Sequence, residues 1–191
     1  MADKSGSRLF MAVSIPQETA LFLNSLQTRL KQNGIKASWT DRQAMHLTIK
    51  FLGDVSPEHI PLLKKCMEKA ACNFEPFYLY TGGIGVFPSV KKARVFWSKV
   101  KGETETLERL HRSIENELFI HGFEPDKRGF HPHLTLGRTK KRVSPEKVYE
   151  LMLGFKGEES DRFQVSGIHL FKSDLKPSGA VHSRLFTADF S

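Results

Sequence analysis

The sequence predicts an α+β fold of two pseudo-symmetric lobes, each a mainly antiparallel sheet with helices on its outer face, meeting at a central cleft. Three observations predict it. Short β-prone apolar runs alternate with helix-period segments, the order strand, helix, strand, helix, strand occurs twice, and the third element of each repeat carries the tripeptide His-Leu-Thr. At 191 residues the chain suffices for one bilobal domain and is too short for several independent ones. The lobes are expected at approximately residues 8–90 and 91–191 of a single domain, with exchange of terminal strands between them left open.

The first repeat opens on the strand-like run Arg8 to Pro16 and the second on Ala93 to Val100. In the helix that follows, Gln17 to about Gln32 carries Phe22, Leu23, Leu26 and Leu30 on one stripe. Its counterpart, Glu103 to Phe119, carries Leu107, Leu110, Ile114 and Leu118. Gly34 and Gly122 suit the ends of these helices. Next come the two marked strands, His46-Leu47-Thr48 in MHLTIKFLG and His133-Leu134-Thr135 in PHLTLGR. Ser56-Pro57-Glu58 and Ser144-Pro145-Glu146 each read as an N-cap followed by Pro at the first helical position, opening a second helix. Strands Phe77 to Phe87 and Phe163 to Phe171 close the halves, with a bend or bulge at Gly82, Gly83 and Gly85.

The composition is that of an ordinary globular chain, 39% hydrophobic and 26% charged, with 15 Phe to fill a core. A net charge of +8 and a pI near 9.5 favour an anionic partner, nucleic acid or a phosphate ester, and disfavour a cationic one. Cys66 and Cys72 match neither a CxxC redox motif nor a zinc knuckle and are expected to be reduced. Met1 to Arg8 is polar and the apolar run Leu9 to Val13 is far too short for a signal peptide or a membrane span, so a cytoplasmic protein without membrane contact is expected. One chain completes both halves, which suits a monomer.

Alternate residues of a strand share a face, so His46 with Thr48, and His133 with Thr135, line the cleft if Leu47, Ile49, Leu134 and Leu136 face the helices. Two imidazoles on opposite sides of a phosphorus can divide the work. One, neutral, takes a proton from the attacking water; the other, protonated, gives one to the departing oxygen. The Thr48 and Thr135 hydroxyls can donate to phosphoryl oxygens, and Arg138 is the best placed base to stabilise developing charge. A single strand histidine before Leu-Thr is more often structural. Two at equivalent places of a duplicated plan are not explained by packing, because a buried imidazole without a partner costs free energy.

His131 and His133 form an HxH pair, a spacing also found at metal sites, yet neither HLT segment supplies a third ligand nearby; no metal and no cofactor is expected. His131 then supports His133 or is simply exposed. Trp39, Phe51 and Phe130 flank the HLT strands and can stack on a base or belong to the core. His59, His111 and His121 read as solvated, and His169 and His182 receive no role. Lys91-Lys92, Lys127-Arg128 and Lys140-Lys141-Arg142 are solvated faces or, for the last two, tracks for an RNA backbone.

These features resemble the two-histidine (2H) phosphoesterases, and within them the bacterial and archaeal RNA 2′,3′-cyclic phosphodiesterases once named 2′-5′ RNA ligases (LigT-like). The resemblance spans nearly the whole chain: Arg8-Leu-Phe-Met-Ala for the opening strand, HLTIKFLG for the first HxTx motif, GVFP with RVFW for the centre and GFEPDKRGFHPHLTLGR for the second. It implies metal-free hydrolysis of a terminal RNA 2′,3′-cyclic phosphate to a 2′-phosphomonoester, with the 3′-oxygen bond broken, His46 as proton donor and His133 as proton acceptor. It also implies ATP-independent joining of RNA ends through a 2′-5′ linkage, in keeping with the lack of a GxxxxGK[ST] loop. From the residues alone, donor and acceptor are interchangeable. A non-catalytic RNA-end-binding module and a metal-dependent hydrolase remain the competing readings.

Overall fold

The apolar run at the start of the chain becomes β1 (Ser7–Ser14), whose residues Leu9 to Val13 are buried on both faces, as befits a strand inside a sheet covered on two sides. The computed structural model describes residues 6–126, 129–176 and 179–191, so the Lys127-Arg128 pair lies outside the described residues. After β1 the order is α1 (Gln17–Gln32), β2 (Ala37–Trp39), β3 (His46–Val55), α2 (Ile60–Ala71), β4 (Phe77–Phe87) and β5 (Val95–Gly102). Then follow α3 (Thr104–Ile120), β6 (His133–Thr139), α4 (Pro145–Gly154), β7 (Phe163–Val165), β8 (Gly167–Lys176) and β9 (Gly179–Asp189).

Two antiparallel sheets result, one ordered β3-β1-β8-β9 and the other β2-β6-β5-β4-β7. The fold is the α+β arrangement the sequence predicts. Its sheets, however, do not divide at residue 90. β8 and β9 from the end of the chain complete the sheet of β1 and β3, while β2 and β4 from the first half join β5 and β6. The helices cross as well: α1 lies on β6, α4 on β4, and α2 and α3 pack together over the sheet of β1. Each HLT strand is thereby backed by the first helix of the opposite half. The buried Gln27 amide of α1 donates to the carbonyls of Thr40 and Leu136, both at 2.8 Å, and the buried Lys50 ammonium of β3 donates to Glu115 of α3 at 2.8 Å.

Local chemistry explains where the elements start and stop. The stripes Leu23, Leu26 and Leu30 on α1 and Leu107, Leu110, Ile114 and Leu118 on α3 are fully buried, each such side chain worth about 1.5–3 kcal/mol over exposure. Gly34 and Gly122, both at φ +83°, close these helices in the left-handed conformation that glycine adopts without penalty. Ser144 caps α4 as expected, accepting from the Lys147 backbone N–H at 3.3 Å. Ser56 does not cap α2. Pro61 has no N–H for the Pro57 carbonyl, so Ile60 takes that carbonyl in a 3-10 turn and the α-helix begins one turn later than the sequence suggested.

The run Phe163 to Phe171 is two strands rather than one. β7 ends on β4 in one sheet, and past Ser166 the chain enters the other sheet as β8 beside β1. Gly167 permits that crossing, because a Cβ there would sit 2.7 Å from the Ala188 carbonyl oxygen. The Gly82–Gly85 segment does hold a bulge, with Gly83 at φ +62° in a register shift against β5.

Candidate active site: two histidine strands at one cleft

β3 and β6 are built alike. From the histidine onward both show the same succession over six residues, partly buried, buried, partly buried, buried, buried, exposed. Both also carry a bulge at the residue after the threonine. Thr48 faces Ala12 and Lys50 faces Met11, with Ile49 unpaired; Thr135 faces Trp97 and Gly137 faces Phe96, with Leu136 unpaired. A bulge shifts the two-residue alternation by one. Phe51 and Arg138, which strict alternation would send to the helix side, thus join His46-Thr48 and His133-Thr135 on the cleft face. Two contacts agree: the Phe51 ring lies 6.1 Å from Phe10, itself stacked on His46 at 4.6 Å, and the Arg138 charge reaches His133.

The imidazoles are held by equivalent bonds. His46 Nδ1 pairs with the Ala44 carbonyl at 2.8 Å and His133 Nδ1 with the His131 carbonyl at 2.7 Å. A carbonyl can only accept, so the neutral rings carry their proton on Nδ1 and keep Nε2 as the reactive nitrogen. Aromatic rings fix the planes. Phe10 stacks on His46, and His182 meets it edge-on at 5.2 Å; Phe87 and Trp97 meet His133 edge-on at 5.0 and 5.9 Å.

Burial pushes the His46 pKa down to about 4, opposed by the Ala44 carbonyl and assisted by repulsion from His182 and His133. Burial likewise lowers that of His133, opposed by the His131 carbonyl and assisted by Arg138 and His131. A cationic His133 raises the cost of charge on His46, and β3 approaches β6. Burial thus favours the neutral form of both rings. A phosphate anion between them supplies the opposite charge that favours protonation of one.

Among the described residues, neither the Thr48 nor the Thr135 hydroxyl has a protein hydrogen-bond partner, leaving both donors for a ligand. Phe51 is 58% exposed on the cleft face, unusual for so large an apolar ring. Trp39 packs against the core beside Gly137, with the Lys31 ammonium 5.3 Å from its ring, and Phe130 stacks on His111 at 4.2 Å; both rings are engaged within the chain. His131 acts on His133 through its carbonyl. His111 is not solvated: it pairs with Glu115 at 3.4 Å beneath Phe130, since α3 turns that face onto β3. No group of three or more His, Cys, Asp or Glu side chains suited to a metal lies among the described residues, and no helix among them is long and apolar enough to cross a membrane.

Sequence reasoning missed the residues that surround His46. A cavity of about 440 Å³ opens beside its ring, lined among others by Phe10, Arg42, Phe171, His182 and Arg184. The last two belong to β9, a strand the sequence reading did not contain. The spacing His182-x-Arg184 on a strand would have put both on one face, but only pairing with β8 brings that face to His46.

The model of the 2′-5′ RNA ligase superfamily matches residues 15–177. The chain is 31% identical to the RNA 2′,3′-cyclic phosphodiesterase of Methanothermobacter thermautotrophicus, covering 92% of this chain and 95% of that protein. It is 32% identical to the protein of the same name from Archaeoglobus fulgidus, over 93% and 97% of the two chains. Among solved structures, a Thermus thermophilus protein superposes with a TM-score of 0.79 at 26% identity, covering 96% of this chain and 97% of its own. Escherichia coli LigT shares the fold, with a TM-score of 0.77 at 20% identity over 98% and 99% of the two chains. Duplicated HxT strands, the shared architecture and the match over most of the length converge on one assignment: the chain belongs to the 2′-5′ RNA ligase superfamily.

Proposed function

We propose that the protein is an RNA 2′,3′-cyclic phosphodiesterase that opens a terminal cyclic phosphate to a 2′-phosphomonoester by acid–base catalysis between His46 and His133. The observation that carries this reading is the equivalence of the two strands: same burial, same bulge, and each Nδ1 on a backbone carbonyl so that each Nε2 is the working nitrogen. The names and near-full-length similarity of the archaeal relatives support the substrate.

In the proposed reaction water attacks phosphorus opposite the 3′-oxygen. His133 Nε2 takes the water proton, the P–O3′ bond breaks, and protonated His46 gives its Nε2 proton to the leaving oxygen. The Arg138 cation opposes protonation of His133 and so suits it to the role of base, while its charge offsets that building on the phosphoryl oxygens. Thr48 and Thr135 donate to those oxygens, and Phe51 offers a stacking face to a base. A 5′-hydroxyl in place of water would form a 2′-5′ linkage by the same proton transfers, without ATP, because the strained cyclic ester is already activated.

The test is incubation, in excess EDTA, with a short RNA ending in a 2′,3′-cyclic phosphate. A 2′-phosphate product is expected; a 3′-phosphate, dependence on metal, or salt-sensitive binding without turnover overturns the reading.

The lowered pKa values set the pH dependence. The free enzyme reacts when His46 is charged and His133 neutral, and both groups titrate below the ordinary 6.5. The optimum of kcat/KM is therefore expected below pH 6.5, with a decline of about tenfold per pH unit on the alkaline side. For kcat the optimum should lie higher, since the bound anion raises both pKa values. A kcat/KM that is flat or rising between about pH 6.5 and 8.5 contradicts the assignment.

A further inference from the structure

The cavity beside His46 is larger than a phosphate and has a chemistry of its own. At about 440 Å³ it lies between the start of α1, the turn Arg42–Ala44 that leads into His46, the end of β1 and the β8–β9 hairpin. His46 forms part of its wall, so the cavity adjoins the cleft. Two guanidinium groups, Arg42 and Arg184, line it, and no acidic side chain is among its described lining residues. Among the described residues neither arginine is held in an ion pair. Arg184 is oriented nonetheless: it donates to Ser14 Oγ at 3.1 Å and sits 5.8 Å from the Phe171 ring centre. His182, which also lines it and meets the His46 ring edge-on at 5.2 Å, has a buried Nδ1 with no partner among the described residues. A polar wall left this way invites an anionic acceptor, and planar forked guanidinium groups suit a phosphate.

We propose that this cavity is a second phosphate subsite, in which Arg42 and Arg184 hold the 5′-phosphodiester of the terminal nucleotide while its cyclic phosphate lies between His46 and His133. The proposal rests on the cyclic phosphodiesterase reading and adds a polarity to it: the RNA strand leaves the site on the His46 side. In an RNA end the two phosphates are carried by one ribose, so a subsite adjoining His46 is where the second must fall if the strand runs toward β9. The subsite makes the enzyme prefer an RNA end to a free cyclic nucleotide.

The experiment compares kcat/KM on three substrates: a nucleoside 2′,3′-cyclic phosphate, the same compound bearing a 5′-phosphate, and a dinucleotide ending in the cyclic phosphate. The wild type is expected to favour the second and third by at least about tenfold, the scale of a charge-assisted hydrogen bond. Arg42→Ala and Arg184→Ala should each cut the rate on these two at least about tenfold more than on the plain cyclic nucleotide, collapsing the preference, with Arg184→Lys keeping part of it. Turnover of the plain cyclic nucleotide with no gain from a 5′-phosphate overturns the subsite alone, as does an equal loss on all substrates in both Ala variants. No turnover on any of the three overturns the cyclic phosphodiesterase reading, and the subsite with it.

Discussion

Replacing either His46 or His133 with Ala is expected to lower kcat by about 10²–10⁴-fold, because each removes one of two proton transfers that the reaction cannot forgo. The two losses should not add. Once one imidazole is gone the other has no concerted partner, so the double variant is expected to be little slower than either single one. Single-turnover hydrolysis of the cyclic-phosphate RNA measures this directly. His46 packs between Phe10 and His182, so its removal also leaves a gap. His46→Gln, which refills most of that volume but cannot act as an acid near neutrality, separates lost chemistry from lost packing, with thermal melting as the control. Activity within about tenfold of wild type in either Ala variant would sink the paired mechanism.

Arg138→Ala is expected to cost about 10²–10³-fold in kcat/KM, the range seen when a donor aimed at developing phosphoryl or oxyanion charge is removed. Its second effect has a definite sign. The Arg138 cation helps hold the His133 pKa below 6.5, so its loss must let that pKa rise toward the ordinary value. An NMR titration of the His133 ring in the free enzyme follows this without any substrate. Arg138→Lys should leave the pKa where it is, since the charge remains, yet recover only part of the rate, since the ammonium lacks the planar fork. A His133 pKa that does not move in Arg138→Ala would mean that the guanidinium turns away from the ring.

On the proposed mechanism, the contrast between Arg138 and Phe51 gives the pseudo-symmetric cleft its direction. The two residues occupy the same place relative to their histidines, two residues past matching bulges, and one is a cation where the other is an exposed aromatic ring. On the proposed mechanism, two equivalent groups that meet unlike surroundings take different parts, one as acid and one as base.

The features legible in the residues alone are ones set by near neighbours along the chain. The Leu stripes of α1 and α3, their glycine ends, the Ser144 cap and both HLT strands follow from side-chain period and local backbone chemistry, and the repetition of His-x-Thr singled out the candidate pair. The rest depends on pairing between distant segments. Period-two alternation places Phe51 and Arg138 away from the cleft; the bulges that bring them in exist only against β1 and β5. The exchange of strands and helices between halves, the split at Ser166 and the arrival of His182 and Arg184 beside His46 are likewise matters of which edges β1 and β5 offer. A residue's neighbours along the chain say nothing of those edges. His111 shows the same in small: it pairs with Glu115 of its own helix, but the Phe130 ring stacked on it comes from the segment before β6, and Glu115 is in turn paired with Lys50 of a strand from the other half of the chain.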